Sequence, residues 1–191
     1  MSQAKTILEF WFGHPDEPDY GKPRADWFQE KAAFDEALRN QFLADYQKAA
    51  AGYLDDWIDV PESCLALILL LDQFPRNMFR GTPEAFATDW EALSAAQHAV
   101  AKGYDCQFLP VQRWFIYLPF EHSENLEDQR QSVKLFQQLR DDPDSTQAIE
   151  YSWRHQEVIE RFGRFPHRNS ILGRTSTPEE KEFLQQPNSW F

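Results

Sequence analysis

The chain has 191 residues, of which 42% are hydrophobic and 15% aromatic, a composition too apolar for a disordered chain and too varied for a fibrous one. Its 31 acidic residues outnumber its 19 Lys and Arg residues, which gives a formal net charge of −12. A surface of that sign repels phosphate backbones and anionic lipids, so we expect neither nucleic acid nor membrane as a partner. The length predicts a single globular domain spanning residues 1–191.

The cysteines and the N-terminal residues favour a cytoplasmic location. Cys64 and Cys106 are far apart and show no zinc-binding spacing, so we expect two buried thiols in a reducing compartment and no metal site. Residues 1–11 lack the basic segment, apolar run and cleavage site of a signal peptide. The longest apolar run covers residues 64–71, far fewer than the roughly 20 residues that cross a bilayer.

Apolar residues recur at helical spacing along the first half of the chain. A stripe from Ala32 to Tyr53 repeats at steps of three and four, and we expect one amphipathic helix that stops near Gly52. The segment Asp59-Val60-Pro61-Glu62 predicts a new helix with its first residue as the N-cap. This helix runs through Leu71 without a polar face, so we place it at the centre of the core.

The second half of the chain shows the same periodicity. Thr82 is the predicted N-cap of a helix that turns five side chains inward: Phe86, Trp90, Leu93, Val100 and Tyr104. The aromatic segment 114–118 is too short for periodicity to separate a helix from a strand, and its helical surroundings favour a helix. The tryptophans, Trp153 included, are expected to pack mainly in the core and between helices.

Three further helix starts complete the pattern. Ser123, Ser145 and Thr177 are the expected N-caps, and the last of them belongs to a Thr-Pro-Glu-Glu capping box. No alternating pair of strands and no Asn-Gly hairpin appears in the sequence. The predicted fold class is therefore all-α, a compact array of about seven to nine helices.

One short sequence occurs twice, about 90 residues apart. The first copy is Phe74-Pro75-Arg76-Asn77, and Thr82-Pro83-Glu84 follows it. The second copy is Phe165-Pro166-His167-Arg168-Asn169, and Thr177-Pro178-Glu179 follows it. This spacing is typical of a duplicated helical array, so we expect two pseudo-repeated halves.

Three long stretches of the chain carry a family resemblance. They are residues 71–77 (LDQFPRN), 119–124 (PFEHSE) and 161–169 (RFGRFPHRN). In this order they resemble the signature segments of the bacterial domain-of-unknown-function family 924, and the resemblance covers essentially the whole chain. It implies a tetratricopeptide-like helical fold. It implies no particular activity, because that family is uncharacterised.

The arginines make two segments basic in a chain that is acidic overall. Six of the twelve lie in or beside the two copies of the motif: Arg76, Arg80, Arg161, Arg164, Arg168 and Arg174. Guanidinium groups hold carboxylates and phosphates through bidentate, charge-assisted hydrogen bonds, so the cluster predicts a pocket for a small anion. The residues expected to hold and orient the anion are Arg76, Arg164, Arg168, Asn77 and Asn169. The alternative is that each arginine follows the C-terminus of a helix and pairs with neighbouring acids.

Glu121 and His122 directly follow an aromatic run. Histidine titrates near neutral pH and an adjacent carboxylate can fix its tautomer, so the two residues are a candidate acid–base pair. His167 lies in a loop between motif elements and is the third candidate catalytic residue. His155 lies on an apolar helix face, which favours a hydrogen-bonded core residue over a ligand.

Two acids can face these arginines from inside the fold. Asp72 ends the apolar helix and Asp89 precedes Trp90, and each can be a buried paired acid or a base that activates water. We therefore predict a cleft that binds a small anionic molecule, with hydrolase or transferase chemistry as one outcome. The alternative is a non-catalytic tetratricopeptide-like scaffold for a peptide or protein partner. The sequence identifies no cofactor and leaves open whether the chain is an enzyme.

Overall fold

The computed structural model describes residues 2–187 and Ser189. These residues form α-helices and short 3₁₀ turns and contain no strand. The helices are α1 (Gln3–Phe12), α2 (Ala32–Ala50), α3 (Pro61–Ile68), α4 (Phe74–Met78), α5 (Asp89–Ala101), α6 (Pro110–His122), α7 (Leu126–Phe136), α8 (Thr146–Phe162) and α9 (Pro178–Phe183). A π-helical turn, Leu69–Gln73, joins α3 to α4 in one continuous rod. With that rod counted once, the described residues hold eight helices, and the all-α prediction is confirmed.

The rod formed by α3 and α4 is the centre of the core, as its apolar sequence predicts. Every residue from 64 to 73 is buried. Helix α3 packs against α1 and α5, and α4 packs against α2. Trp11 of α1 is fully buried and lies 5.4 Å from the ring of Phe74 and 5.5 Å from that of Phe115. No helix of the described residues combines the length and the apolarity needed to cross a membrane.

Helices α6, α7 and α8 pack against one another in chain order. Segment 114–118 lies inside α6, which confirms the helical prediction. A small apolar cluster of Val158, Ile159 and Phe165 lies beside the main core. Helix α9 begins at the predicted capping box, in which the Glu180 backbone N–H donates to Thr177 Oγ1 (3.2 Å) and the Thr177 backbone N–H donates to Glu180 Oε2 (2.7 Å).

Two predicted helices are shorter than their apolar stripes. Helix α2 ends at Ala50. Gly52 has a φ of 78°, a conformation that does not continue an α-helix. Tyr53 therefore lies beyond the helix and is 79% exposed, instead of lying on its buried face. The helix predicted from Thr82 is divided into a 3₁₀ turn, Pro83–Phe86, and α5. Because the α-helix starts again at Asp89, the side chains after the break face other directions than in one unbroken helix. Trp90 is therefore 76% exposed instead of turned inward.

Two predicted caps are displaced. The N-cap of α3 is Val60 and not Asp59. Ser123 follows the last residue of α6, and α7 is capped by Asn125, whose Oδ1 accepts a hydrogen bond from the Glu127 backbone N–H at 2.8 Å. Asparagine is as good an N-cap as serine, so the cap two residues later takes the role.

Other boundary predictions are correct in position only. Ser145 occupies the N-cap position of α8, but its hydroxyl donates to Asp142 Oδ2 and accepts from Trp114 Nε1 instead of capping the helix.

Cys64 is buried as expected, whereas Cys106 is exposed in a 3₁₀ turn. Trp153 is 43% exposed on α8 and does not belong to the core.

The two copies of the repeated motif differ in local structure. The first lies within α4, as the end of the continuous rod. The second follows the end of α8 at Gly163, whose φ is 68°, and enters the 3₁₀ turn Pro166–Arg168. The pseudo-repeated halves and the tetratricopeptide-like arrangement stay predictions.

We expect Gly163→Ala to lower the free energy of unfolding by about 1 kcal/mol, because the left-handed conformation at the end of α8 strains any residue with a Cβ atom. The space around that atom is open, so no steric contact adds to the loss. Urea unfolding measures the change, with Glu157→Ala on the exposed face of α8 as the control. Equal stability of the Gly163→Ala variant and the wild type would contradict this role of Gly163.

Candidate acid–base site

The π-helical turn places a carboxylate inside the core. Asp72 lies in this turn and its side chain is 0% exposed. A π turn inserts an extra residue into a helix and is frequent at functional sites. The Oδ1 atom of Asp72 lies 2.7 Å from Nδ1 of His122, the last residue of α6. Its Oδ2 atom accepts a hydrogen bond from Gln73 Nε2 at 2.6 Å.

The charges around Asp72 fix the protonation states of this pair. Burial by itself raises the pKa of Asp72, but Arg76 and His122 outweigh burial and lower it to about 2. Burial and the charge of Arg76 lower the pKa of His122, against the opposing effect of Asp72. Near neutral pH Asp72 is thus ionised and His122 neutral, with its Nδ1–H donating to Asp72.

The second ring nitrogen of His122 is left with a lone pair. Nε2 makes no hydrogen bond to the described residues, and the side chain is 14% exposed. An imidazole held by a carboxylate on one nitrogen and open on the other is the arrangement of a general base. The predicted partner of His122, Glu121, is not the carboxylate that orients it; Asp72 takes that role.

Arg76 and Arg168, one from each copy of the motif, meet at Asp89. Arg76 donates to Asp89 in a bidentate pair, with Nη1 2.8 Å from Oδ1 and Nη2 3.1 Å from Oδ2. Arg168 Nη1 lies 3.2 Å from the same Oδ2 atom. Arg76 Nη1 also donates to the backbone oxygen of Asp72 at 2.7 Å. A continuous chain of contacts therefore links His122, Asp72, Arg76, Asp89 and Arg168.

Glu121 and His155 form a second buried pair. His155 Nδ1 donates to the backbone oxygen of Tyr151 at 2.8 Å and lies 3.2 Å from Glu121 Oε1. Burial, reinforced by Asp72, raises the pKa of Glu121 well above its usual range, and burial lowers that of His155 well below its own. At neutral pH His155 is therefore uncharged, and burial favours the protonated form of Glu121. Glu121 Oε2 is buried without a hydrogen-bond partner among the described residues.

His167 is also buried and neutral. Its side chain lies in the 3₁₀ turn of the second motif copy, with its ring centroid 5.6 Å from that of Phe165. Burial and the charge of Arg168 lower the pKa of His167 to about 3. Its predicted catalytic role stays a prediction, and its neutral ring contributes no positive charge to an anion site.

The remaining predicted ligand residues lie outside this chain of contacts. Asn77 donates to Asp35 of α2 at 2.7 Å. Arg164 forms a bidentate pair with Glu180 (2.6 and 2.8 Å), and Asn169 donates to the same carboxylate at 3.3 Å. These three residues hold the motif segments to α2 and α9, so the structure does not bring them together with Arg76 and Arg168.

Acids accompany every arginine that the sequence analysis selected. Arg80 pairs with Asp35, Arg161 with Glu179 and Arg174 with Glu124, in addition to the pairs above. Pairing with neighbouring acids was the alternative interpretation of the cluster, and it holds for most of these arginines. Arg168 differs from the others because the one hydrogen bond of its side chain, among the described residues, goes to an acid that Arg76 already binds in a bidentate pair.

Some contacts around the site are not predicted by the sequence. Glu124, expected in the first turn of a helix, instead precedes α7, accepts two bonds from Arg174 (2.7 and 2.9 Å) and accepts the Phe165 backbone N–H at 2.8 Å. Phe86 and Phe165 each place their ring centroid 4.7 Å from Cζ of Arg168. The contact with Phe86 joins residues that are distant in sequence, so no local pattern reveals it.

Two surface cavities lie away from the site. One, of about 340 Å³, is lined by residues of α6 and of the segment after α7, and the other, of about 480 Å³, is lined by residues 9–24. Neither contains a residue of the contact chain. Access to the site is through its partly exposed side chains: His122 (14%), Arg76 (18%) and Asp89 (22%). Within residues 2–187 and Ser189, no group of three or more His, Cys, Asp or Glu side chains is arranged to hold a metal ion.

The buried neutral groups give the stability a defined pH dependence. The folded-state pKa values of His122, His155 and His167 are lowered, so unfolding takes up protons below about pH 6.5 and stability falls as the pH falls from 7 to 5. Glu121 acts in the opposite sense, since its raised pKa stabilises the fold at lower pH.

We therefore expect His167→Gln to flatten the loss of stability between pH 7 and pH 5, and Glu121→Gln to steepen it. Glutamine has the shape of the neutral carboxyl group, so the fold is retained in the second variant. Urea unfolding at several pH values measures both slopes. Unchanged slopes in the two variants would show that these groups titrate normally.

We expect Asp89→Asn to destabilise the protein by about 3 kcal/mol, because it leaves the buried Arg168 guanidinium without its acid and leaves Arg76 with Asp72 alone. The additional change Arg168→Gln recovers part of this loss, since it removes one of those charges. Chemical unfolding of the two single variants and the double variant measures the coupling. Asp56→Asn, at an exposed position of a 3₁₀ turn, is the control. Strict additivity of the two changes would contradict the contact.

Comparison with known proteins identifies the family. A family model described as "Bacterial protein of unknown function (DUF924)" matches residues 7–188. The structure of a protein of unknown function, ATU0120, from Agrobacterium tumefaciens matches with a TM-score of 0.84 and 41% sequence identity, covering 95% of this chain and 96% of that one. A search among curated proteins found no match. The chain therefore belongs to the bacterial family of proteins of unknown function DUF924.

Proposed function

We propose that the protein binds a small anionic molecule at Arg168 and Arg76 and hydrolyses it, with His122 as the general base. The observation that carries this proposal is the Asp72–His122 contact of 2.7 Å, which holds a neutral imidazole by Nδ1 and leaves Nε2 without a partner among the described residues. A structural histidine in an apolar core normally satisfies both nitrogens. Here one nitrogen stays available beside a partly exposed arginine.

Water is the nucleophile that this arrangement favours. No serine, threonine or cysteine of the described residues forms a hydrogen bond with His122 Nε2, so no side chain is activated there for attack. In the proposed step Nε2 accepts a proton from water as the water oxygen bonds to the carbonyl carbon of an ester. The bond to the leaving oxygen then breaks, and the imidazolium returns its proton to that oxygen.

The electrostatic setting agrees with such a step. Asp72, ionised beside the imidazole, stabilises the imidazolium that forms when the proton moves. Arg76 and Arg168 hold the anionic part of the substrate, and Asp89 fixes the position of both guanidinium groups. The histidine itself is neutral before the reaction and therefore ready to act as a base at neutral pH.

A partner-binding scaffold is the second candidate function. The exposed aromatic side chains that favour it are Tyr53, Trp90 and Trp153, with exposures of 79%, 76% and 43%. They belong to three different segments of the chain: the turn after α2, α5 and α8. An extended peptide needs one continuous groove, so these residues give the scaffold less support than the His122 site gives hydrolysis.

The test is a hydrolysis assay with p-nitrophenyl esters that carry an additional carboxylate, alongside neutral p-nitrophenyl esters and p-nitrophenyl phosphate. We expect turnover of the esters that carry a carboxylate, and kcat/KM reduced at least about 100-fold by His122→Gln and by Asp72→Asn. His14→Gln, in the exposed loop after α1, is the control and keeps full activity. Circular dichroism shows whether each variant is folded.

Two results would overturn the proposal. One is the absence of turnover for every substrate of the set by the folded wild-type protein. The other is turnover that His122→Gln leaves intact.

A further inference from the structure

The side chain of Arg168 is buried against two aromatic rings. It is 6% exposed, and the ring centroids of Phe86 and Phe165 each lie 4.7 Å from its Cζ atom. Aromatic faces attract the cation but accept no ordinary hydrogen bond from it. The five N–H groups of this guanidinium can therefore find acceptors only at its edges.

One edge of Arg168 is occupied and the other is not. Nη1 donates to Asp89 at 3.2 Å, the one hydrogen bond that this side chain makes among the described residues. Nε is buried and has no hydrogen-bond partner within residues 2–187 and Ser189. The edge formed by Nε and Nη2 presents two parallel N–H groups, the pattern that binds a carboxylate in a bidentate manner.

The neighbouring arginines show that this edge is exceptional. Arg164 uses the same two atoms, Nε and Nη2, to hold Glu180 at 2.6 and 2.8 Å. Arg174 uses Nη1, Nη2 and Nε to bind Glu124 and Asn169. A buried guanidinium with a vacant edge costs stability unless an acceptor completes it, because desolvated donors need partners.

Resting on the proposed function, we propose that the anion is a carboxylate, bound side-on through its two oxygens by the Nε and Nη2 atoms of Arg168. The charge balance of the site favours one added negative charge over two, because Asp72 and Asp89 already offset Arg76 and Arg168. Burial lowers the pKa values of the neighbouring histidines, so they add no positive charge. A phosphate dianion adds twice the charge to the same buried site. The substrate class is thus an ester of a compound that also bears a carboxylate.

The shape of the site supports the same ligand. A carboxylate is planar and, when two parallel N–H groups hold both its oxygens, it lies in the plane of the guanidinium. A phosphate group is tetrahedral, and the oxygens that leave this plane approach the negative faces of Phe86 and Phe165. The aromatic pair therefore selects a flat anion over a tetrahedral one.

The experiment measures binding without chemistry. Sodium propionate and sodium phosphate are titrated separately into the protein at constant ionic strength, with the Nε–H signals of the arginines followed by ¹H–¹⁵N NMR. We expect propionate, and not phosphate, to shift the Arg168 Nε–H signal. Arg168→Lys keeps the charge but lacks the two-donor edge, and weakens propionate binding at least about tenfold. Arg164→Lys, whose edge already holds Glu180, is the matched control and leaves propionate binding unchanged.

Each result separates the two proposals. Tighter binding of phosphate than of propionate, no shift of the Arg168 signal, or propionate binding that Arg168→Lys leaves intact overturns the carboxylate assignment, whatever the hydrolysis assay gives. Propionate binding at Arg168 together with no ester hydrolysis supports the carboxylate site and overturns the catalytic proposal. If Arg168→Lys does not fold, the shift of the wild-type Arg168 Nε–H signal on addition of propionate tests the carboxylate assignment by itself.

Discussion

The buried carboxylate of Asp72 is the group on which the candidate site depends. An ionised carboxylate in an apolar core is strongly unfavourable unless hydrogen bonds and opposite charges surround it. Gln73, His122 and Arg76 supply these, from the π turn itself, from α6 and from α4. The requirement to compensate one charge therefore fixes how the central rod meets the end of α6, and it also fixes the tautomer of His122.

Asp89 compensates buried charge in the same way at the second copy of the motif. It binds Arg76, 13 residues earlier, and Arg168, 79 residues later. Two sequence segments that differ in local structure are thus joined through a third element, α5. The site is nearly balanced in charge despite the acidic surface of the protein, and its histidines are neutral because burial disfavours their charged form. Such a setting suits a base, and the proposed anion site is the edge of Arg168 formed by Nε and Nη2.

Local signals in the sequence were sufficient for most of the helices. Periodicity placed α2, Ser145 marked the start of α8 and the capping box placed α9, because these features depend on residues close together in sequence. The π turn was not predictable, since an unbroken run such as Leu69-Leu70-Leu71 suits an α-helix and a π turn equally well. The exposure of Trp90 was missed because it depends on a break of two residues before α5.

The candidate site was predictable in its residue types and not in its connections. The clustering of arginines, and the position of His122 after an aromatic run, are visible in the sequence and selected much of the site. Pairings such as Asp72 with His122, 50 residues apart, depend on how helices pack, and no spacing reveals them. Arg164 and Asn77 match the motif as well as Arg76 does, yet their acids lie on α9 and α2, so composition alone could not separate them from the site.

The ¹⁵N chemical shifts of the His122 ring test the central claim most directly. The account predicts that at pH 7 the ring is neutral, with the proton on Nδ1 and none on Nε2, and that Asp72→Asn alters this tautomer. A His122 ring that carries its proton on Nε2, or one that is doubly protonated at pH 7, would contradict the account, since Nε2 would then have no lone pair to accept a proton from water.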